Sequence, residues 1–337
     1  MRRTYPLKID AYAHIVPPKY KELLAKIAPD EVAYKIDPIN TLYDLDYRFR
    51  IMDRYEGLVQ VLTMAWPSVE EVADSQAAID LAKAANDSMA ELVLKYPDRF
   101  VAAIACLPMN DMDAALKEAD RAINDLRFRG IQIYTPINDR PLDSPEFLPL
   151  YEKMSQYNLP IVIHPMRAPS YPDYKTETVS KYKVFSTFGW PYETTVAMTR
   201  IVFSGILEKY PNLKLLTHHG GGMVPFFGER IKQFFDIGEM RRGEKHVHGL
   251  TKAPIDYYRM FYADTALYGN TTALMCVHAF FGPDRMLFGV DMPLGDTELG
   301  NRNYRQTINA IEEMEISDED KQKIYVENAR RLYRLPI

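Results

Sequence analysis

The stretch LKIDAYAHIV, residues 7–16, starts as a short apolar strand and ends where polar and apolar residues alternate. Alternation with period two puts Tyr12 and His14 on one face, at the C-terminal end of that strand. Seven further runs share its character: LVQVLTMAW (58–66), FVAAIACLP (100–108), GIQIYT (130–135), PIVIHP (160–165), KLLTHHGG (214–221), RMFYADTAL (259–267) and RMLFGVDMP (285–293). Each is short, largely apolar and bounded by Pro, Gly, Asn or Asp, as buried parallel strands are.

Between these runs the apolar spacing changes to three and four. SVEEVADSQAAIDLAKAANDSMAELVLKY and DMDAALKEADRAINDL read as amphipathic helices, and SPEFLPLYEKMSQYN, ETTVAMTRIVFSGILEKY, MVPFFGERIKQFF and TTALMCVHAFF continue the series. Two last helices, near 302–313 and 317–333, close the chain, the second behind an acidic cap, SDED (317–320). Eight strands alternating with helices point to an α/β protein, a (β/α)8 TIM barrel. An open doubly wound sheet is the alternative, but no G-x-G-x-x-G follows the first strand. Segment 16–57 adds a small insertion over the barrel mouth. With no repeat or linker, residues 1–337 read as a single domain.

Of the 337 residues, 47% are apolar and 26% charged, with a net charge of -5. That balance excludes a disordered chain, and no basic stripe suits nucleic acid. MRRGEKHVH (240–248) reads as a solvated loop. No apolar run approaches the ~18 residues of a membrane span, and the N-terminus lacks the pattern of a secretory signal. Cys106 and Cys276 sit in apolar settings and read as buried thiols in a reducing compartment, so a soluble, cytoplasmic protein is expected.

In a barrel of this kind the chemistry gathers at the C-terminal strand ends. The polar residues there are Tyr12 and His14, His164, His218 and His219, Asp264, and Asp291, so four of the seven histidines fall at one face. Histidines and a carboxylate are a ligand set for a Zn²⁺-like ion with an open position. Because strand side chains alternate, one histidine of the adjacent pair is expected inside. Gly220-Gly221-Gly222 favours His219 there, with His218 packed outward or hydrogen-bonded. Asp264 either lines the site or caps the next helix. His246 and His248 read as exposed, and His278 as structural.

Several stretches together, KIDAYAHI, IQIYTPINDRPLDSPEFLPLYEKMSQYNLPIVIHP, GWPYETTVAMTRIVFSGILEKYPNLKLLTHHGGGMVPF and LFGVDMP, resemble the amidohydrolase-2 branch of the amidohydrolase superfamily. Within it the likeness is to the decarboxylases of aminocarboxymuconate semialdehyde and of γ-resorcylate and other hydroxybenzoates. The resemblance implies a metal-dependent, non-oxidative carbon–carbon lyase, assembled as a homodimer or tetramer and acting on a small carboxylic acid. It implies one divalent ion, Zn²⁺ or Mn²⁺, on His14, His164 and Asp291, with His219 as acid/base beside the catalytic Asp291.

Tyr12 departs from that pattern, because relatives commonly carry histidine or glutamate there. It can ligate as phenolate, hold a metal-bound water by hydrogen bonding, or mark a barrel that has lost its metal. A second departure is the missing hairpin arginine: Arg48, Arg50 and Arg54 look structural, and Arg167 is the better partner for an anionic substrate. Trp190, Tyr134 and Tyr192 offer flat walls, and Glu193 either orients a ligand or is a first-turn acid. The expected reaction is decarboxylation of an aromatic or muconate-like acid. Alternatives are hydrolysis or hydration of a lactone, amide or unsaturated acid, and a metal-free binding barrel.

Overall fold

The computed structural model describes residues 7–242 and 249–337, so the expectations for His246 and His248 lie outside the described residues. Seven parallel strands form where the apolar runs predict them: β1 (Lys8–Ile15), β2 (Leu58–Met64), β3 (Phe100–Ala103), β4 (Ile131–Thr135), β5 (Pro160–Pro165), β6 (Lys214–Thr217) and β7 (Tyr262–Ala263). They pair as β1-β2-β3 and β4-β5-β6-β7. A parallel bridge from Ala105 to Ile131 links the two groups. Residues 286–290 supply the eighth member: Met286 bridges Ala263, Leu287 N donates to Ala263 O (2.9 Å), and Ala11 N donates to Phe288 O (2.8 Å). The ring closes, and the chain is a (β/α)8 barrel whose interior is filled by side chains such as Ile9, Val61 and Val162, with Leu62 and Ile161 buried between strands and helices.

Side chains already visible in the sequence start the helices. Asp74 accepts from Ala77 N at the head of Ser75–Lys95, Asp111 from Ala114 N before Met112–Asn124, and Ser317 from Asp320 N before Asp318–Gln322. Each satisfies an amide that would otherwise lack a partner in the first turn.

The insertion after β1 is helical, Pro18–Ile27 and Leu45–Met52, joined by a π turn at Val32–Ile36. Fully buried Arg48 ties it to the barrel, as its structural reading required. Its Nη1 donates to His14 O (2.9 Å) and Thr41 O (3.2 Å), and its Nε to Gln60 Oε1 (2.8 Å). Gln60 in turn donates to the Tyr304 hydroxyl, which donates to Asp10. A register shift between Asp10 and Ala13 gives β1 one extra residue against β2. Beyond that bulge, Tyr12 and His14 reach other partners, inside the barrel. Among the described residues no helix is long and apolar enough to cross a membrane.

Candidate metal centre and active site

His14 comes from β1, His164 from the end of β5, His218 from the residue after β6, and Asp291 from the residue after the eighth segment. One ligand atom from each lies within 4.8 Å of all the others, and all four residues are buried. His14 Nδ1 faces Met64 O at 3.1 Å and Thr63 Oγ1 at 3.2 Å, which leaves Nε2 to point at Asp291 Oδ1, 3.0 Å away. His164 Nδ1 donates to Pro165 O (2.7 Å), freeing its Nε2 in the same way.

Both ring nitrogens of His218 are buried without a hydrogen-bond partner. An imidazole in that state is costly unless something else takes its lone pair. The donor set answers the question of fit: three imidazoles and a carboxylate converge, one imidazole is otherwise unsatisfied, and the set suits a divalent cation.

Electrostatics agree. Burial, then the neighbouring His14, depresses His164 to about 3. Burial, then His164, holds His218 well below its ordinary value. Burial pushes Asp291 upward, but its hydrogen bond from His14 and the surrounding histidines outweigh this and leave it below the usual carboxylate range. Neutral imidazoles beside an ionised carboxylate are the protonation state a metal requires.

The expectation that His218 packs outward is corrected here. Alternation holds only inside a strand, and β6 ends at Thr217. His218 keeps an extended backbone (φ -77, ψ 161), and His219 then turns into the left-handed region (φ 55). That turn lets both neighbours face inward. The His218 ring centroid lies 4.5 Å from His164 and 3.9 Å from Tyr12. His219 reaches the cavity wall, its ring nearly parallel to Trp190 (19°, 6.3 Å between centroids). Gly220 follows at φ 64, where an added Cβ would stand 2.8 Å from Val277.

Asp264 neither lines the cavity nor caps the next helix, a role taken by Asn270. It accepts from the amides of His219 (2.9 Å), Gly220 (2.7 Å) and Ala266 (3.1 Å), and from the Tyr12 hydroxyl. Burial, then the charges of Asp264 and Asp291, keeps the Tyr12 phenol well above its ordinary value, so Tyr12 is a neutral donor here.

A cavity of about 840 Å³ opens above the cluster, lined by Trp66, Met166, Arg167, Trp190, His219, Tyr268 and Asp291 among others. Lys35, from the insertion, and Lys183 stand among its lining residues. Arg167 is held at 2.7 Å by Glu193, and Trp190 Nε1 donates to Arg167 O (3.3 Å). The three expected rim residues therefore form one unit. Tyr134 is not on the wall: it is buried, 5.4 Å from the His164 ring, and bonded to Gln132. Tyr192 is exposed and outside the cavity. His278 lies 3.5 Å from Asp320, a structural contact.

Reasoning from sequence missed His218, Tyr268 and Lys35. For His218 the signal was present: three glycines directly after a histidine pair announce that the strand has ended.

Comparison with known proteins places this geometry. The Amidohydrolase family profile (Amidohydro_2) matches residues 9–335. The chain is 29% identical over 306 residues to the gamma-resorcylate decarboxylase of Rhizobium sp. (strain MTP-10005), covering 86% of this chain and 87% of that protein. It is 28% identical over 342 residues to the 2-amino-3-carboxymuconate-6-semialdehyde decarboxylase of Dictyostelium discoideum, covering 96% and 90%. Among solved structures, the dihydroxybenzoic acid decarboxylase of Polaromonas sp. JS666, with bound manganese and the inhibitor 2-nitroresorcinol, superposes with a TM-score of 0.80. That pair is 28% identical and covers 97% of each chain. The chain belongs to the Amidohydrolase family described by this profile.

Proposed function

We propose that this protein is a metal-dependent, non-oxidative decarboxylase of a small aromatic or muconate-like carboxylic acid, working as one catalytic domain. The observation that carries the proposal is the buried His14–His164–His218–Asp291 cluster opening onto a cavity walled by His219 and Trp190. The relatives named above, decarboxylases of an aromatic and of a muconate-like acid, support it.

His14, His164, His218 and Asp291 would hold one divalent ion, zinc or manganese. When bound, such an ion supplies Lewis-acid polarisation of the substrate's oxygens. Manganese in the Polaromonas structure supports manganese for that place.

The chain's own groups do the rest. Trp190 offers a flat face for a ring or diene, and Arg167, steadied by Glu193, meets the substrate's negative charge at the rim. His219 Nδ1 is taken up by Ala266 O (3.3 Å), which turns Nε2 toward the cavity. As the bond to the carboxylate carbon breaks, its electron pair stays on the substrate carbon. That carbon takes the proton from His219, and CO₂ leaves. Asp291, ionised beside these histidines, stabilises the protonated imidazole.

Assembly as a homo-oligomer is part of the same proposal. Phe188, just ahead of the helix Gly189–Phe203, Tyr192 within it, and Phe226 in the first turn of Val224–Arg242 are exposed, and Met223 N, just ahead of the second helix, donates to Thr195 Oγ1 of the first (2.8 Å). Sedimentation of the purified protein checks it.

A panel of hydroxybenzoates and muconate-type acids, scored for released CO₂, tests the reaction. Turnover of a lactone, amide or unsaturated acid without CO₂ would assign the hydrolase or hydratase reading instead.

A further inference from the structure

Residue 12 stands at the mouth end of β1 beside the His14–His164–His218–Asp291 cluster, with its hydroxyl turned to Asp264. Its hydroxyl is donated to Asp264, and its ring lies against the His218 ring with centroids 3.9 Å apart. Room for that ring is made at residue 289: a Cβ there would stand 2.7 Å from Tyr12 Cε1. Asp264 Oδ2 accepts from both the Tyr12 hydroxyl and the amide of His219, while Oδ1 accepts from the amides of Gly220 and Ala266. The carboxylate therefore gathers the two amides of the left-handed turn, His219 at φ 55 and Gly220 at φ 64. For a histidine that conformation is strained and persists only where its surroundings hold it.

We infer that Tyr12 is a positioning residue: donating to Asp264 and packing on His218, it locks the turn that aims His218 into the metal cluster and His219 at the substrate. Tyr12 is thus not a metal ligand. Its hydroxyl orients the carboxylate, the carboxylate fixes two amides, and those amides set the directions of two adjacent histidines that a regular strand would point to opposite faces. The inference rests on the metal-centre reading for what His218 does, but the lock itself is independent of metal.

The test is Tyr12→Phe, which keeps the ring in its place beside Gly289 and removes only the hydroxyl. Asp264→Asn serves as a second variant acting on the same link. Three readouts are taken on the full chain: Mn²⁺ content after loading with the metal alone, hydrogen exchange of the peptide carrying the His219 and Gly220 amides, and kcat and KM on the substrate found by the CO₂ panel. The expected result is one Mn²⁺ per chain retained in Tyr12→Phe, with exchange of that peptide about tenfold faster. A fall in kcat of about tenfold or more should come with KM changed by less than about twofold. Unchanged exchange protection in Tyr12→Phe would overturn the inference, and loss of the metal with that protection intact would make Tyr12 a ligand. Failure of the metal-centre reading is separately visible, because the unaltered protein would then take up no Mn²⁺ while the exchange result still stands or falls alone.

Discussion

His14 Nε2 and Asp291 Oδ1 stand 3.0 Å apart, joining β1 to the end of the eighth segment across 277 residues of chain. The contact crosses the seam where the barrel closes, so the two ends of the fold meet at the point where the chemistry is concentrated. Asp291 is held at φ 62, outside the conformations a non-glycine residue prefers. Strain of that kind is retained where a side chain must be aimed.

Removing a member of the cluster should empty it. His14→Ala, His164→Ala and His218→Ala are each expected to weaken Mn²⁺ or Zn²⁺ binding by more than the roughly 10–100-fold that follows loss of a supporting hydrogen bond. Titration calorimetry on protein stripped with chelator measures it. Undiminished affinity in His218→Ala would remove that residue from the ligand set.

His219 should separate from its neighbour. His219→Asn is expected to keep its metal yet lose roughly 10²–10⁴-fold in kcat, the share a positioned acid/base supplies. His218→Asn should lose metal and activity together. Metal analysis beside turnover distinguishes the two, and a His219 variant as active as the parent would end the acid/base assignment.

Trp190 should report on the substrate's shape. Loss of a face-on ring contact costs about 1 kcal/mol beyond area burial, so Trp190→Ala is expected to raise KM for an aromatic acid roughly fivefold. An aliphatic inhibitor of similar charge should be affected less. Equal effects on both would place Trp190 away from the substrate's ring.

Stability should depend on pH through Glu70. It is buried on the short helix Val69–Val72, its Oε1 has no partner, and burial pushes its carboxyl up to about 7. Between about 4.5 and 7 the folded state therefore holds a proton that the unfolded chain has released, so Glu70 favours folding on acidification and costs stability above about 7. Glu70→Gln should stabilise the protein at pH 8 by an amount on the order of 1–3 kcal/mol and by much less at pH 5. Buried His164, depressed to about 3, works in the opposite direction, because the unfolded chain binds its proton first as pH falls below 6.5. Denaturant midpoints of the variant and its parent at the two pH values isolate the Glu70 contribution. A gain independent of pH would show that the carboxyl does not titrate there.

The strands were legible because each is an apolar run ending in a turn residue, and the metal centre because three of its four members interrupt such runs. His218 was not legible from alternation. Its direction depends on where β6 stops and on a carboxylate 46 residues further on. The Arg167–Glu193 pair and the burial of Tyr134 were hidden for the same reason: they are set by contacts between elements, which no local pattern encodes. The cap over the mouth was anticipated as a position, but its helices and the Arg48 anchor depend on buried acceptors at His14 and Thr41 that only the folded chain brings together.

The space kept at Gly289 for the ring of Tyr12 couples two positions that lie 277 residues apart in the chain. A Cβ at 289 would meet that ring at 2.7 Å. Gly289→Ala is therefore expected to be costly beside tyrosine and milder beside a smaller residue at position 12, so the effects of the two changes on stability should not add.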